Sequence, residues 1–312
     1  LHKRDLVPAT FWIRTAVTTV FALVLLWRVA FGATIVIRDG GALFGIESIH
    51  LPPIPTFLIY LLLNVLLITC VTWLYFRALQ ISPLSMCVPF LSFTPVFLIF
   101  TGFLILGEIP PAIKALGVML IVLGSLVMHR KLFAQGPLAP IRAVLKERGS
   151  RYMLVVSLIF AITNPIDKKL VTMSDVFTEA FAYGFGLSVS FWIMGRVQGG
   201  DFAAASRDNW KWISLAGVLD AVSLLFQLAS YAYIAVVITV SIKRAGIILA
   251  VFSGWLFFHE RGITDQVIAA SVMFCGVLIL YLPVNPLQAA ALTLITIMGM
   301  STALYLTRNQ TA

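Results

Sequence analysis

Residues 75–108 read YFRALQISPLSMCVPFLSFTPVFLIFTGFLILGE, and residues 109–128 continue IPPAIKALGVMLIVLGSLVM. Moved by 152 positions, this stretch lies over residues 227–280. Val88 then meets Val240, Phe100 meets Phe252, Gly102 meets Gly254, Leu104 meets Leu256, Glu108 meets Glu260 and Gly124 meets Gly276. Each copy reads as an apolar helix ending on Glu, a short turn, and a second apolar helix. Helix pairs this apolar need hydrocarbon around them, and an internal repeat in a membrane chain points to a transporter whose site lies between two halves.

Composition supports the membrane reading. Of 312 residues, 60% are hydrophobic and 11% charged, and the mean hydropathy is +1.00. A soluble domain has too much surface for its volume to hide that apolar content. Ten segments have about the length needed to cross a ~30 Å hydrocarbon core: 9–31, 56–80, 83–107, 112–130, 152–170, 176–197, 211–231, 235–258, 264–283 and 286–306. Inside lipid only helices and closed barrels satisfy every backbone polar group. Barrel strands would be about half as long and would alternate with period two. The expected fold is therefore an all-α integral membrane bundle of about ten helices.

The net charge of +9 reflects topology, not nucleic-acid binding. With the ten spans alternating, 15 Lys and Arg fall on the side of the amino terminus and 5 on the other, leaving Lys243 and Arg244 inside a span. Cationic loops stay inside, which makes the first side cytoplasmic, including the linker 131–151 and the C-terminus. A plasma (inner) membrane location and anionic lipid headgroups as partners follow. Cys70, Cys87 and Cys275 all fall within spans and read as small buried hydrophobes. The four histidines form no metal pattern, and no cofactor is expected.

The repeat extends upstream, with residues 7–32 lying over 175–200 at an offset of 168. Helix 152–170 of the second half has no counterpart before it, so the first repeat reads as lacking its first helix. The expected organisation is a first repeat of four helices over 1–130, a basic linker over 131–151, a second repeat of five helices over 152–283, and an additional C-terminal helix within 284–312.

The run SFTPVF…GE at 92–108, the two-glycine helix at 117–124, NPIDKKL within 152–171 and SIKRAGIILAVFSGWLFFHER at 241–261 resemble the EamA branch of the drug/metabolite transporter superfamily. The resemblance implies two halves of inverted topology around a central pathway for small organic solutes, with export as the usual direction. It leaves 286–306 without a counterpart. The superfamily's common topology also puts the linker between the halves outside, whereas the charge count puts it inside.

Charge in mid-span costs about 2.5–3.5 kcal/mol on insertion scales, which marks the candidate substrate-binding residues. Lys243 and Arg244 lie about ten residues into helix 235–258, ~15 Å from its start. Asp220 is central in the preceding helix of what reads as a tight hairpin, within reach of a Lys or Arg side chain. One cation would bind an anionic group of a solute while Asp220 holds the other or exchanges a proton; the alternative is a structural ion pair. Asn164 and Lys168 flank Pro165, whose missing N–H should kink helix 152–170 and free carbonyls to line a cavity. The alternative there is a capped helix end with Asp167, Lys168 and Lys169 at the interface. Pro89 and Pro95 suggest a bent or broken helix used in gating. Glu179, Asn64 and Gln227 read as interhelical hydrogen-bond partners. Glu108 and Glu260 read as caps for the helices that follow them.

These features point to a secondary carrier of a small organic solute working by alternating access, with protons, exchanged through Asp220 or Glu179, as a candidate coupling ion and facilitated diffusion as the alternative. No G-x-x-x-x-G-K-[ST] run is present to bind ATP. A membrane enzyme is the alternative from another class, with His259-Glu260 as its lone candidate pair; a non-transporting regulatory or scaffold protein is a third. Substrate identity and oligomeric state are not readable from helical patterns.

Overall fold

The computed structural model describes residues 6–32, 37, 53–82, 88–127, 148–207, 210–246 and 264–282. Among these the regular structure is helical throughout, with no strand. The α-helices are α1 (Leu6–Ala30), α2 (Pro53–Ile81), α3 (Thr94–Leu106), α4 (Ala112–Val127), α5 (Arg148–Met173), α6 (Val176–Val197), α7 (Phe202–Arg207), α8 (Trp210–Tyr231), α9 (Val236–Ala245) and α10 (Thr264–Tyr281), with a 3-10 segment over Val88–Phe93. Segments 6–30, 54–81, 176–197 and 210–231 are long and apolar enough to cross a bilayer unaided. The protein is an all-α, multi-pass membrane protein. The expected helix at 286–306 and most of the linker 131–151 lie outside the described residues.

Local chemistry sets the helix ends. Gly107 takes a left-handed φ of 69° after α3, and the Glu108 N–H reaches back to the Gly102 carbonyl at 3.2 Å. That wrapping satisfies a carbonyl left over at the helix end, and Pro110-Pro111 then separates α3 from α4. Asp175 caps α6 by accepting from the backbone N–H of Phe177 (3.0 Å) and Thr178 (3.4 Å) and from the Thr178 hydroxyl (2.7 Å). Burial pushes its carboxyl up, but the hydrogen bonds from Thr178, Arg28 and the Phe177 backbone outweigh this. Asp175 is held below the ordinary aspartate value, and Arg28 of α1 pairs with it at 2.7 Å.

Three expectations change. Span 83–107 is not one helix: Pro89 sits in the 3-10 segment, and α3 begins only at Thr94, with Pro95 in its first turn. Proline is tolerated there because its missing N–H would have no partner anyway. Helix 152–170 runs further in both directions and continues through Pro165 to Met173, so Asn164, Asp167 and Lys168 are helix interior and not a capped end. The carbonyl that Pro165 leaves without its N–H is that of Ala161, four residues back. It accepts from the Thr101 hydroxyl of α3 at 2.5 Å and so does not line a cavity.

The chain gathers into two compact units that cut across the expected repeat boundaries. Unit 1 holds the described parts of 1–73 and 162–234, and unit 2 those of 74–161 and 235–312. Each unit takes helices from both repeats. In unit 1, α1 and α6 run antiparallel, since Thr18 meets Ser188 (3.2 Å) and Arg28 meets Asp175. Nearby, Phe57, Tyr60, Ile166, Leu170 and Met173 form a buried apolar cluster. In unit 2, α4 and α10 run antiparallel around Leu120, Val272, Cys275 and Ile279. These are the helices that the 152-residue offset places in register. Gly117 and Gly276 let their backbones approach so closely that a Cβ on either would lie 2.9 or 2.7 Å from the other's carbonyl oxygen.

Candidate functional site

Unit 2 brings together α3 and α9. The 3-10 segment gives way to α3 between Phe93 and Thr94, and α9 ends at Ala245 with Gly246 in a turn. Moved by 152, the start of α3 falls on the end of α9.

The two helices lie antiparallel. At one end the Val236 N–H, in the first turn of α9, donates to the Glu108 carboxylate beyond α3 at 3.2 Å. Glu108 therefore caps the partner helix from the other repeat. At the other end Arg244 Nη2 donates to Thr94 Oγ1 at 3.2 Å, while the Thr94 hydroxyl donates to the Leu91 carbonyl at 2.7 Å. Phe93 offers α3 no side-chain cap, so its N-terminal dipole faces Arg244 without a counter-charge from that residue. Arg244 Nε is buried with no hydrogen-bond partner among the described residues. Lys243 beside it is exposed. A helix N-terminus next to a guanidinium with an unused donor favours a carboxylate or phosphate.

Unit 1 holds a buried polar core. The Asn164 carbonyl accepts from the Tyr231 hydroxyl (2.8 Å) and from Gln227 Nε2 (3.3 Å), and Gln227 also donates to Tyr231 (2.9 Å). Asn64 of α2 donates to the buried Asp167 carboxylate of α5. Glu179 of α6 is wholly enclosed, and neither carboxyl oxygen has a partner among the described residues. Asp167 lies within electrostatic range of it. Tyr183, one turn along α6, is in range of Arg14, Asp167, Asp220 and Glu179.

The candidate residues thus separate. Asp220 does not take its cation from Lys243 or Arg244: Arg14 of α1 pairs with it at 2.5 Å. The short hairpin between α8 and α9 suggested Lys243 and Arg244 as its partners; these belong to unit 2, and Asp220 and Arg14 to unit 1. Lys168 Nζ donates to the Ile234 carbonyl at 3.0 Å, at the edge of unit 1. Pro165 is buried within α5, and Pro89 and Pro95 mark the break before α3.

Sequence reasoning counted Arg14 among the cytoplasmic charges, although it lies nine residues into α1 and is partnered there. An interfacial helix end was one of two readings for Asp167, and Glu179 stood both as an interhelical hydrogen-bond partner and, with Asp220, as a candidate for proton coupling. The signal for Arg14 was its place inside a span. Nothing in the sequence pairs it with a residue 206 positions away.

A family model for EamA-like transporters matches residues 9–130 and 148–282. The chain belongs to the EamA-like transporter family. It is a membrane transporter of the drug/metabolite type. A solved crystal structure, described only as that of a protein, is similar at 13% identity with a TM-score of 0.59, over 90% of this chain and 88% of that one. At that identity the likeness concerns the fold alone. No curated protein sequence matches significantly. The EamA match ends at residue 282 and so stops before the span expected at 286–306. It covers α3 and α9.

Proposed function

We propose that this EamA-like transporter is a secondary carrier that exports a small organic metabolite bearing an anionic group, by alternating access across the plasma membrane. Lys243 and Arg244 would bind the anionic group beside the N-terminus of α3 in unit 2. Within unit 1, Asn164, Lys168 and Asp220 are the candidate polar and charged residues. Pro89, Pro95 and Pro165 are the candidate gating positions. The 15-to-5 count still favours a cytoplasmic linker and C-terminus once Arg14 is set aside. The lack of an ATP-binding run leaves a gradient or solute exchange as the energy source.

One observation carries this reading. The N-terminus of α3 has no side-chain cap, and a guanidinium whose Nε is unused among the described residues stands against it through Thr94. Helix N-termini directed at a site are how carriers present fixed dipoles to a solute in mid-membrane. The reading is tested by flux of labelled amino acids, nucleosides, sugars and small carboxylates into proteoliposomes. Wild-type protein should carry at least one, and Lys243→Met and Arg244→Met should abolish that flux while keeping a helical fold in detergent. Wild-type rates in both variants would reduce the pair to helix packing. No flux of any probe would overturn the carrier reading.

A further inference from the structure

Glu179 is out of keeping with the rest of unit 1. Buried polar groups are hydrogen-bonded as a rule, and every other carboxyl in that core has a partner: Asp220 has Arg14, Asp175 has Arg28, and Asp167 has Asn64. Glu179 has 0% exposure and no donor on either oxygen among the described residues. The carbonyl oxygen of Asn64 is likewise buried and unengaged, so the neighbouring amide offers Glu179 nothing. A carboxyl serving only as interhelical glue would use at least one oxygen.

Among the described residues, Asp167 of α5 lies within electrostatic range of it, and Tyr183 lies one turn along α6. Arg14 of α1 and Asp220 of α8 are in range of Tyr183 and already joined to each other, and Tyr231 of α8 is in range of Asp167 and Tyr183. From α2 the core receives the neutral Asn64. An ionised carboxylate enclosed without a partner, and beside a second carboxylate, is costly. The enclosure suits the neutral acid. In membrane carriers, an enclosed ionisable group of this kind is a functional candidate by default.

We propose that Glu179 is a proton-binding site of the transport cycle, holding a proton while enclosed and exchanging it when the cycle gives it access to water. On release the O–H bond breaks, the electron pair stays on the carboxylate and the proton passes to water; rebinding reverses the step. The proton is then the coupling ion of the carrier proposed above, and the coupling rests on that reading. Asp167, held by Asn64, is the positioning partner, since two carboxyl groups sharing one enclosure cannot both go without a proton or a cation.

Infrared spectroscopy of the full-length protein in lipid, between pH 6 and pH 8, tests the proton directly and needs no substrate. Wild type should show a carboxylic-acid C=O band that Glu179→Gln removes and Glu179→Asp shifts, with helical circular dichroism kept. A wild-type spectrum without the band, or a band unchanged in Glu179→Gln, overturns the site. If Glu179→Gln does not fold, the shift in Glu179→Asp decides. In proteoliposomes, a pH step should change wild-type flux of the transported probe severalfold, and in Glu179→Gln that ratio should fall to unity. Wild-type flux indifferent to the pH step overturns the coupling. If wild type moves no probe, the carrier reading fails and the infrared band alone judges the proton site.

Discussion

Replacing Gly276 with alanine should pull α4 and α10 apart. An added Cβ would stand 2.7 Å from the Gly117 carbonyl oxygen, 2.8 Å from Ile121 Cγ1 and 3.0 Å from the Ile121 nitrogen. Two of those three atoms are backbone, so no side-chain rotation relieves the contact. Against an ordinary separation of ~3.5 Å, the helices must part by about 0.8 Å, and a gap of that size forfeits roughly a quarter to a half of each dispersion contact it opens. The contacts concerned are those of Leu120, Val272, Cys275 and Ile279. Overpacking of this kind costs about 1–3 kcal/mol, offset by the roughly 0.5–1 kcal/mol that alanine gains over glycine in a helix. The net expectation is a loss of about 1–2 kcal/mol. Gly102→Ala in α3 is the control, because its Cβ would meet nothing nearer than 4.0 Å; it should be neutral or slightly stabilising. Thermal unfolding in detergent, followed by circular dichroism, should place Gly276→Ala several degrees below wild type and Gly102→Ala at or above it. Gly117→Ala should resemble Gly276→Ala, and the double variant should lose less than the sum, since one displacement relieves both clashes. Equal melting of Gly276→Ala and Gly102→Ala would refute the close approach of these helices.

Lys114 of α4 donates to the carbonyls of Ile279, Leu280 and Leu282 at the end of α10, at 2.9, 2.8 and 3.0 Å. Lys114→Met should therefore cost about 1.5–3 kcal/mol, seen as earlier melting with helix content kept; an unchanged melting temperature would count against the cap. Thr101→Val leaves the Ala161 carbonyl opened by Pro165 without its donor, and should cost about 1–3 kcal/mol in the same assay. The Thr101→Val, Pro165→Ala double variant should recover part of that loss by restoring the helical bond. Asp175 is held below the ordinary aspartate value of about 3.9. Its charge thus stabilises the fold in full above that pH and progressively less as pH falls through the lowered folded value. Asp175→Asn keeps a capping side chain but loses this charge, so its melting temperature should vary less than wild type's below about pH 4. Parallel acid profiles would remove Arg28–Asp175 from the account.

The membrane class, the long apolar helices and the duplication were legible in the sequence, because each depends on residue type at short range or on one fixed offset. Transfer from water to hydrocarbon sorts apolar runs whatever they pack against. Pro89 and Pro95 announced the break before α3, since a missing N–H acts locally. The partnerships were not legible. Asp220 was matched to cations a short turn away, whereas its cation is Arg14; nothing local announced that Glu108 caps α9. Pro165 was given an open carbonyl that Thr101 occupies. Glu179 and Asp220 were equal candidates for carrying a proton, and only enclosure without a donor among the described residues sets Glu179 apart from Asp220, which Arg14 holds. Hydrogen bonds and ion pairs depend on distances of about 3 Å between residues 60 to 206 positions apart. Those distances come from how antiparallel helices of the two repeats pack within each unit, which hydrophobic periodicity does not encode when nearly every face of a helix is apolar.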